Sequence, residues 1–248
     1  MIRLILCGLA VLIFFILTII LWPVLSLIGV FDKDTEERLT QKTVQGVFKI
    51  LLVLAGVKLT VLGEDNVPKD EAVLYIGNHK SNWDTIITYA RCPMRTGYIA
   101  KDSLEKIPIL RGWMNRMHCL FLNRKDIREG LKVILKGIDY IKAGYSMTIF
   151  PEGGRNKTDE LTLPFHEGSF KLATKTGCRI VPMAIYNSEH IMETQSPFLR
   201  SAKVVLQYGK PIDVNELTGD DKKFIGEYVR KEIEAMIKEN KQHLESSF

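Results

Sequence analysis

The stretch AVLYIGNHKSNWD at residues 72–84 begins as a short apolar run and ends in a cluster of polar side chains. A short apolar run that is bounded by glycine is typical of a buried β-strand. A helical pattern comes directly after it. In an open α/β sheet, ligands gather where strands end, so the polar residues after this strand are candidates for a functional site.

The rest of the chain after Gly63 alternates apolar runs with helical patterns. The predicted strands are 72–77, 97–100, 119–122, 147–150, 180–185 and 203–208. The segment Ile127–Ala143 has one apolar face, and Lys222–Leu244 is typical of an amphipathic surface helix. This alternation predicts a single α/β domain with a largely parallel central sheet flanked by helices.

The N-terminal part is different, because no charged residue occurs from Leu4 to Phe31. The run is longer than the roughly 20 residues that cross a hydrocarbon core. Pro23 predicts that the helix kinks or ends near Trp22. It remains open whether this helix spans the bilayer, dips into one leaflet or is only a tether.

A second apolar stretch, Val47–Leu62, contains Lys49 and Lys58, whose long stems can hold their charges at an interface. We therefore predict a membrane-associated two-helix segment at 1–62, followed by the α/β domain at 63–248.

Composition narrows the class of partner. The formal net charge is +5 and the pI about 8.9, which favours anionic partners. No basic run with interleaved aromatic residues is present, so lipid and phosphate partners are favoured over nucleic acid. The cysteines, at positions 7, 92, 119 and 178, lack the spacing of a zinc site or a disulfide framework. Reduced thiols agree with a location of the α/β domain on the cytoplasmic side.

His79 and Asp84 are the strongest catalytic candidates. On one continuous helix they would lie about 140° apart. If His79 lies on the turn before the helix and Asp84 in its first turn, the carboxylate can reach the imidazole. That pairing is what a general base requires. The alternative is a helix capping box formed by Ser81 and Asp84, and both interpretations can hold together.

The second candidate segment, Thr148–Arg155, has the sequence TIFPEGGR. A strand ends near Pro151, and the two glycines allow a sharp turn and a close approach to a ligand. Arg155 offers a forked cation suited to a phosphate, and Glu152 can orient it or simply pair with it. The alternative is a turn without a function.

Together these motifs resemble the glycerolipid acyltransferase family, in particular its 1-acylglycerol-3-phosphate acyltransferases. The resemblance rests on N-H-x4-D at His79 and Asp84 and on F-P-E-G-x-R ending at Arg155. Shorter matches are LFLNR at 120–124, IVPMAI at 180–185, and Lys101 with Pro108.

The resemblance implies transfer of a fatty acyl group from an acyl carrier protein or coenzyme A thioester to the sn-2 hydroxyl of lysophosphatidic acid, giving phosphatidic acid. His79 would be the general base and Asp84 would orient it, without a covalent acyl-enzyme, metal or organic cofactor. Backbone amides after His79 are candidates to stabilise the oxyanion. The implied phosphate-binding residues are Lys101, Arg124, Glu152, Gly153, Gly154 and Arg155.

The sequence departs from the family pattern at Gly154, where threonine is usual, and at Phe165–Gly168, which lacks a basic pair. The acceptor headgroup therefore stays open, and another lysophospholipid or an amine is an alternative acceptor. A hydrolase is disfavoured, because Ser169 lacks the glycine of a nucleophile elbow. From another class, a non-catalytic membrane protein that binds acidic lipid is an alternative. Sequence does not give the oligomeric state.

Overall fold

The central feature of the molecule is one seven-stranded sheet, seen in a computed structural model that describes residues 1–123 and 126–246, with Ile127 as backbone only. Its strands are β1 (Lys58–Leu62), β2 (Leu74–Gly77), β3 (Thr96–Lys101), β4 (Leu120–Leu122), β5 (Ser146–Ile149), β6 (Ile180–Tyr186) and β7 (Lys203–Tyr208). They lie in the order β1-β7-β6-β2-β5-β3-β4, and only the β6–β7 pairing among the described strands is antiparallel.

The parallel pairing confirms the predicted fold class and determines where a site can form. Strands β2 to β6 all point the same way, so their carboxyl ends meet at one edge of the sheet. Each predicted strand is present, with ends displaced by no more than about two residues, the usual uncertainty of such boundaries.

Strand β1 was not predicted, and it corrects the interpretation of the segment before residue 63. The stretch Val47–Leu62, expected to be interfacial, is divided by a left-handed turn at Gly56, where φ is +74°. The residues after this turn form β1, which pairs in parallel with β7. The catalytic sheet therefore begins at Lys58, inside the segment that we assigned to the membrane-associated part.

The helices are α1 (Ile2–Phe31), α2 (Lys33–Ala55), α3 (Trp83–Tyr89), α4 (Pro108–Arg116), α5 (Ile127–Lys142), α6 (Lys171–Thr176), α7 (Gly219–Lys223) and α8 (Ile225–Glu245). Among the described helices, α1 alone is long and apolar enough to cross a membrane.

Of the two alternatives expected near Trp22, a kink or a helix end, the end is excluded, because the helix continues through Pro23 to Phe31. Proline removes one backbone hydrogen bond, but packing on both sides of it holds the helix together. The indole of Trp22 lies against Gly112 of α4, and Leu25 is buried.

Successive side chains along a strand point to opposite faces of the sheet, and helices cover both faces. On one face, Tyr75 packs in a cluster with Leu51, Leu52 and Ala55 of α2. On the other face, the neighbouring residue Ile76 packs in a cluster that includes residues of α5, α6 and α8. Helix α2 is therefore part of the core of the catalytic domain.

A buried group of charges also joins α2 to the domain. Glu37 is 5% exposed and accepts from Arg95 Nη1 at 2.9 Å, from Tyr145 Oη at 2.9 Å and from His118 Nε2 at 3.1 Å. Its neighbour Glu36 is also buried and pairs with Arg116. These contacts hold the first half of α2 against the amino-terminal ends of β3 and β5 and the turn before β4.

Candidate active site

The site lies at the edge where the parallel strands end, and its central contact joins His79 to Asp84. His79 follows β2, and Asp84 lies in the first turn of α3. Asp84 Oδ2 is 2.9 Å from His79 Nδ1. The turn between them brings together two residues that would point apart on a continuous helix.

Asp84 is fully buried and surrounded by donors. Its Oδ2 also accepts the backbone N–H groups of Lys80 and Ser81, each at 2.8 Å, and its Oδ1 accepts the hydroxyl of Ser188. The Ser81 hydroxyl accepts the N–H of Trp83 at 3.0 Å. The carboxylate thus makes one half of the expected capping box together with the imidazole contact, but the reciprocal half is absent, because the N–H of Asp84 donates to the Ser81 carbonyl and not to its hydroxyl.

The position of His79 is restrained on several sides. Its ring stacks on Phe150 with centroids 4.4 Å apart and planes at 15°. Its backbone N–H donates to Glu152 Oε1 at 2.7 Å, and its carbonyl accepts the N–H of Asn156 at 2.6 Å. No group in residues 1–123 or 126–246 hydrogen-bonds to Nε2. With Nδ1 protonated toward Asp84, Nε2 can accept a proton.

Glu152 does not have the expected contact with Arg155. It is 6% exposed, and its second oxygen, Oε2, accepts the N–H of Leu163 at 2.7 Å. Burial raises the pKa of this carboxyl, while its hydrogen bonds from the amides of Leu163 and His79 lower it in part. Both oxygens therefore bind backbone amides, and Glu152 positions the His79 loop.

The glycine turn after Glu152 explains one of the two glycines. Gly153 has φ of +73°, and a Cβ there would lie 2.7 Å from His166 Nε2. A side chain would therefore be disfavoured by both the backbone conformation and the neighbouring ring. Gly154 is half-buried and lacks the positive φ of its neighbour.

Arg155 lies beside the His79 loop and pairs with a residue that sequence reasoning missed. Its Nη1 is 3.3 Å from Glu193 Oε1, which also accepts the N–H of Asn82 at 2.9 Å. The other oxygen of Glu193 accepts the Ser81 hydroxyl at 2.6 Å. One carboxylate thus links the loop after β2 to the loop after β5.

Lys101, a further phosphate-binding candidate, is not brought into this network. Lys101 is exposed at the end of β3, opposite Leu122 of β4 in the pairing register. Since β5 separates β3 from β2, the strand of Lys101 lies about 10 Å from that of His79. Arg124 lies outside the described residues.

The backbone amides proposed for the oxyanion are already bound. Those of Lys80 and Ser81 donate to Asp84, that of Asn82 donates to Glu193, and that of Trp83 donates to the Ser81 hydroxyl. The expectation that they stabilise an oxyanion is therefore not supported by this geometry.

Two site residues, Ser188 and Glu193, come from the segment after β6. A signal for Ser188 was available, because it follows a predicted strand at the same sheet edge as His79. Glu193 is 112 residues from Ser81, and no local pattern points to it. In the described part of the chain, no group of three or more His, Cys, Asp or Glu residues is arranged to hold a metal ion.

Comparison with known proteins agrees with the motifs. The acyltransferase family model matches residues 58–186, which include the loops of His79 and Arg155. A 1-acyl-sn-glycerol-3-phosphate acyltransferase of Borreliella burgdorferi is 35% identical over 199 residues, 79% of this chain and 78% of that protein. One of Saccharomyces cerevisiae is 30% identical over 192 residues, 77% of this chain and 62% of that protein.

A solved structure shares the fold. The crystal structure of the 1-acyl-sn-glycerophosphate (LPA) acyltransferase PlsC from Thermotoga maritima matches with a TM-score of 0.80, covering 97% of each chain at 23% identity. The resemblance drawn from the motifs is confirmed by these matches. The chain therefore belongs to the acyltransferase family, among relatives named 1-acyl-sn-glycerol-3-phosphate acyltransferases.

Proposed function

We propose that this enzyme transfers a fatty acyl group from an acyl thioester to the sn-2 hydroxyl of 1-acylglycerol-3-phosphate, giving phosphatidic acid. The observation that carries the proposal is the imidazole of His79, held through Nδ1 by buried Asp84 while Nε2 has no protein partner in the described residues. The names of the relatives support the choice of acceptor.

In this mechanism the acceptor hydroxyl oxygen attacks the thioester carbonyl carbon while its proton passes to Nε2 of His79. Asp84 holds the ring in the required tautomer and stabilises the imidazolium. When the tetrahedral intermediate collapses, the C–S bond breaks and the thiolate takes the proton from the imidazolium. The products are an ester and a thiol, and no cofactor takes part in any step.

The acceptor phosphate is assigned to Arg155, whose side chain is 34% exposed beside the His79 loop. A guanidinium binds phosphate oxygens in a forked geometry. Two further contacts are proposed: Lys101, the last residue of β3, and Arg124, which follows β4 in the sequence. Holding the phosphate there would keep the acceptor hydroxyl next to His79 and so reduce the entropic cost of reaction.

The proposed location is the cell membrane, with the catalytic domain on the cytoplasmic side. Helix α1 supports membrane association, because many of its large apolar side chains are exposed, among them Ile2, Leu12, Ile19, Val30 and Phe31. All the cysteines are free, in keeping with a reducing compartment. Protease treatment of sealed inverted and right-side-out membrane vesicles tests on which side of the membrane the catalytic domain lies.

The test is acyl transfer by purified protein in vesicles containing lysophosphatidic acid. His79→Ala should lower kcat by roughly 10²- to 10⁴-fold, the usual contribution of a general base. His190→Ala is the matched control, because that imidazole is 55% exposed and lies outside the His79 contacts. Equal product from His79→Ala and the wild type would overturn the assignment.

The same assay separates the remaining alternatives. Acyl carrier protein and coenzyme A thioesters, supplied side by side, identify the donor. A panel of lysophospholipids and an amine tests the acceptor, which the sequence leaves open at Gly154. Lipid binding without any turnover would instead support the non-catalytic alternative.

A further inference from the structure

The carboxylate of Glu193 lies on donors that are suited to a different anion. It accepts from a guanidinium (Arg155, 3.3 Å), a hydroxyl (Ser81, 2.6 Å) and a backbone N–H (Asn82, 2.9 Å). These three kinds of donor are the ones with which proteins bind phosphate oxygens. The Glu193 side chain is 19% exposed, so solvent reaches the group in part.

We propose that Glu193 competes with the acceptor's phosphate for Arg155, Ser81 and Asn82, and so sets the affinity of the enzyme for its acceptor. This inference rests on the proposed function, because it takes the acceptor to carry a phosphate monoester. Glu193 is then a specificity-determining residue: an acceptor without a doubly charged headgroup does not displace it effectively.

The contacts of Glu193 favour exchange. A phosphate monoester brings three terminal oxygens and up to two negative charges, whereas a carboxylate brings two oxygens and one charge. The Arg155 contact is long, and the arginine is 34% exposed, so this ion pair is weak and screened by solvent. Glu152 cannot take the same part, because backbone amides bind both its oxygens.

Competition and a purely structural role predict opposite signs. If Glu193 only holds the loops together, its replacement loosens Arg155 and raises the acceptor KM. If it competes, replacing it with the neutral isostere glutamine removes the negative charge that opposes phosphate binding. Glutamine retains an oxygen that can accept from Asn82 or Ser81, so the loops keep most of their contacts.

The experiment compares the full-length wild type with Glu193→Gln in detergent micelles at constant ionic strength. The acceptor KM and the Kd of inorganic phosphate, measured by calorimetry, should both fall about threefold to fivefold in the variant, the range expected for a partly exposed ion pair. Glu189→Gln is the control, because it removes the same charge from the same segment without touching these donors. It should leave both constants near the wild-type values.

A second variant tests whether the effect of Glu193→Gln acts through Arg155. In an Arg155→Ala background, Glu193→Gln should have a smaller effect on phosphate binding, because the competing pair is already broken. Unchanged or weaker phosphate binding in Glu193→Gln overturns the inference. If the wild type fails to acylate lysophosphatidic acid and yet phosphate binds more tightly to Glu193→Gln, the proposed function fails and the competition stands.

Discussion

Among single residues, the site depends most on which groups donate hydrogen bonds to each oxygen of one buried carboxylate. Asp84 Oδ2 serves the imidazole and two backbone amides, whereas the other oxygen accepts the Ser188 hydroxyl. These donors hold in place the carboxylate that must face the imidazolium during the reaction. Ser188 is thus a positioning residue, which acts through Asp84.

We expect Ser188→Ala to lower kcat by about tenfold to 100-fold, because a hydrogen bond to a charged group is worth about 1.5–3 kcal/mol. The acceptor KM should change little, since Ser188 contacts Asp84 and lies outside the proposed phosphate contacts. Steady-state kinetics with varied acceptor separates the two constants.

The control is Ser146→Ala, which removes another fully buried hydroxyl. Ser146 accepts the N–H of Val73 at 3.1 Å, at the opposite end of β5 from the site. The Ser146→Ala variant should be less stable than the wild type but have the same kcat. If both variants lower kcat equally, the effect of Ser188 is a general loosening of the domain.

Some contacts of these residues could be predicted from the sequence and others could not. The contact between His79 and Asp84 was predictable because a turn and a helix start determine it locally. The partners of Glu152 and the presence of Glu193 were not predictable, because they depend on how separate loops fold over one another. A carboxylate next to an arginine in sequence predicts an ion pair, yet backbone amides outcompete the guanidinium here.

At the scale of elements, close packing of α1 on α4 depends on one glycine. A Cβ added to Gly112 would lie 2.2 Å from Cη2 of Trp22, so any side chain there must push the two helices apart. The indole also packs near Trp113, with ring centroids 6.3 Å apart, so its displacement would disturb a second contact between the two helices.

We expect Gly112→Ala to lower the free energy of unfolding by about 1–3 kcal/mol, the usual cost of overpacking. Gly130→Ala on α5 is the control, because its Cβ would meet Leu122 at an ordinary 3.6 Å. It should be neutral or stabilise by up to about 1 kcal/mol, since alanine favours helix more than glycine. Thermal unfolding in detergent measures both, and equal stability of the two variants would contradict this packing argument.

Most elements were predictable because buried parallel strands are continuous apolar runs between turn signals. Strand β1 was not predicted, because it follows the apolar end of α2 after only a short turn at Gly56. In the sequence the two elements form one continuous apolar stretch. The course of α1 through Pro23 was not predictable for another reason. Tertiary packing around Trp22 and Leu25, which the local pattern does not contain, holds the helix there.

At the scale of the whole molecule, the N-terminal helices are more than a tether. Cys7 of α1 and Leu51, Leu52 and Ala55 of α2 are buried in the same cluster as strand residues. Removing the chain up to Asp65 would therefore remove part of the core and an edge strand as well as the proposed membrane anchor. A point variant that weakens the junction tests this integration more directly than truncation.

Glu37 is the residue to substitute, because its buried carboxylate joins α2 to Arg95, His118 and Tyr145. Glu37→Ala leaves His118 and Tyr145 without their acceptor, whereas Arg95 keeps its contact with Asp34, so the free energy of unfolding should fall by about 1–3 kcal/mol. Asp34→Ala is the matched control: this carboxylate also reaches Arg95, at 2.7 Å, but is 48% exposed, so its loss should cost about 0–1 kcal/mol. Urea unfolding in micelles measures both values. Equal small losses would mean that the helices and the catalytic domain are joined by apolar packing alone.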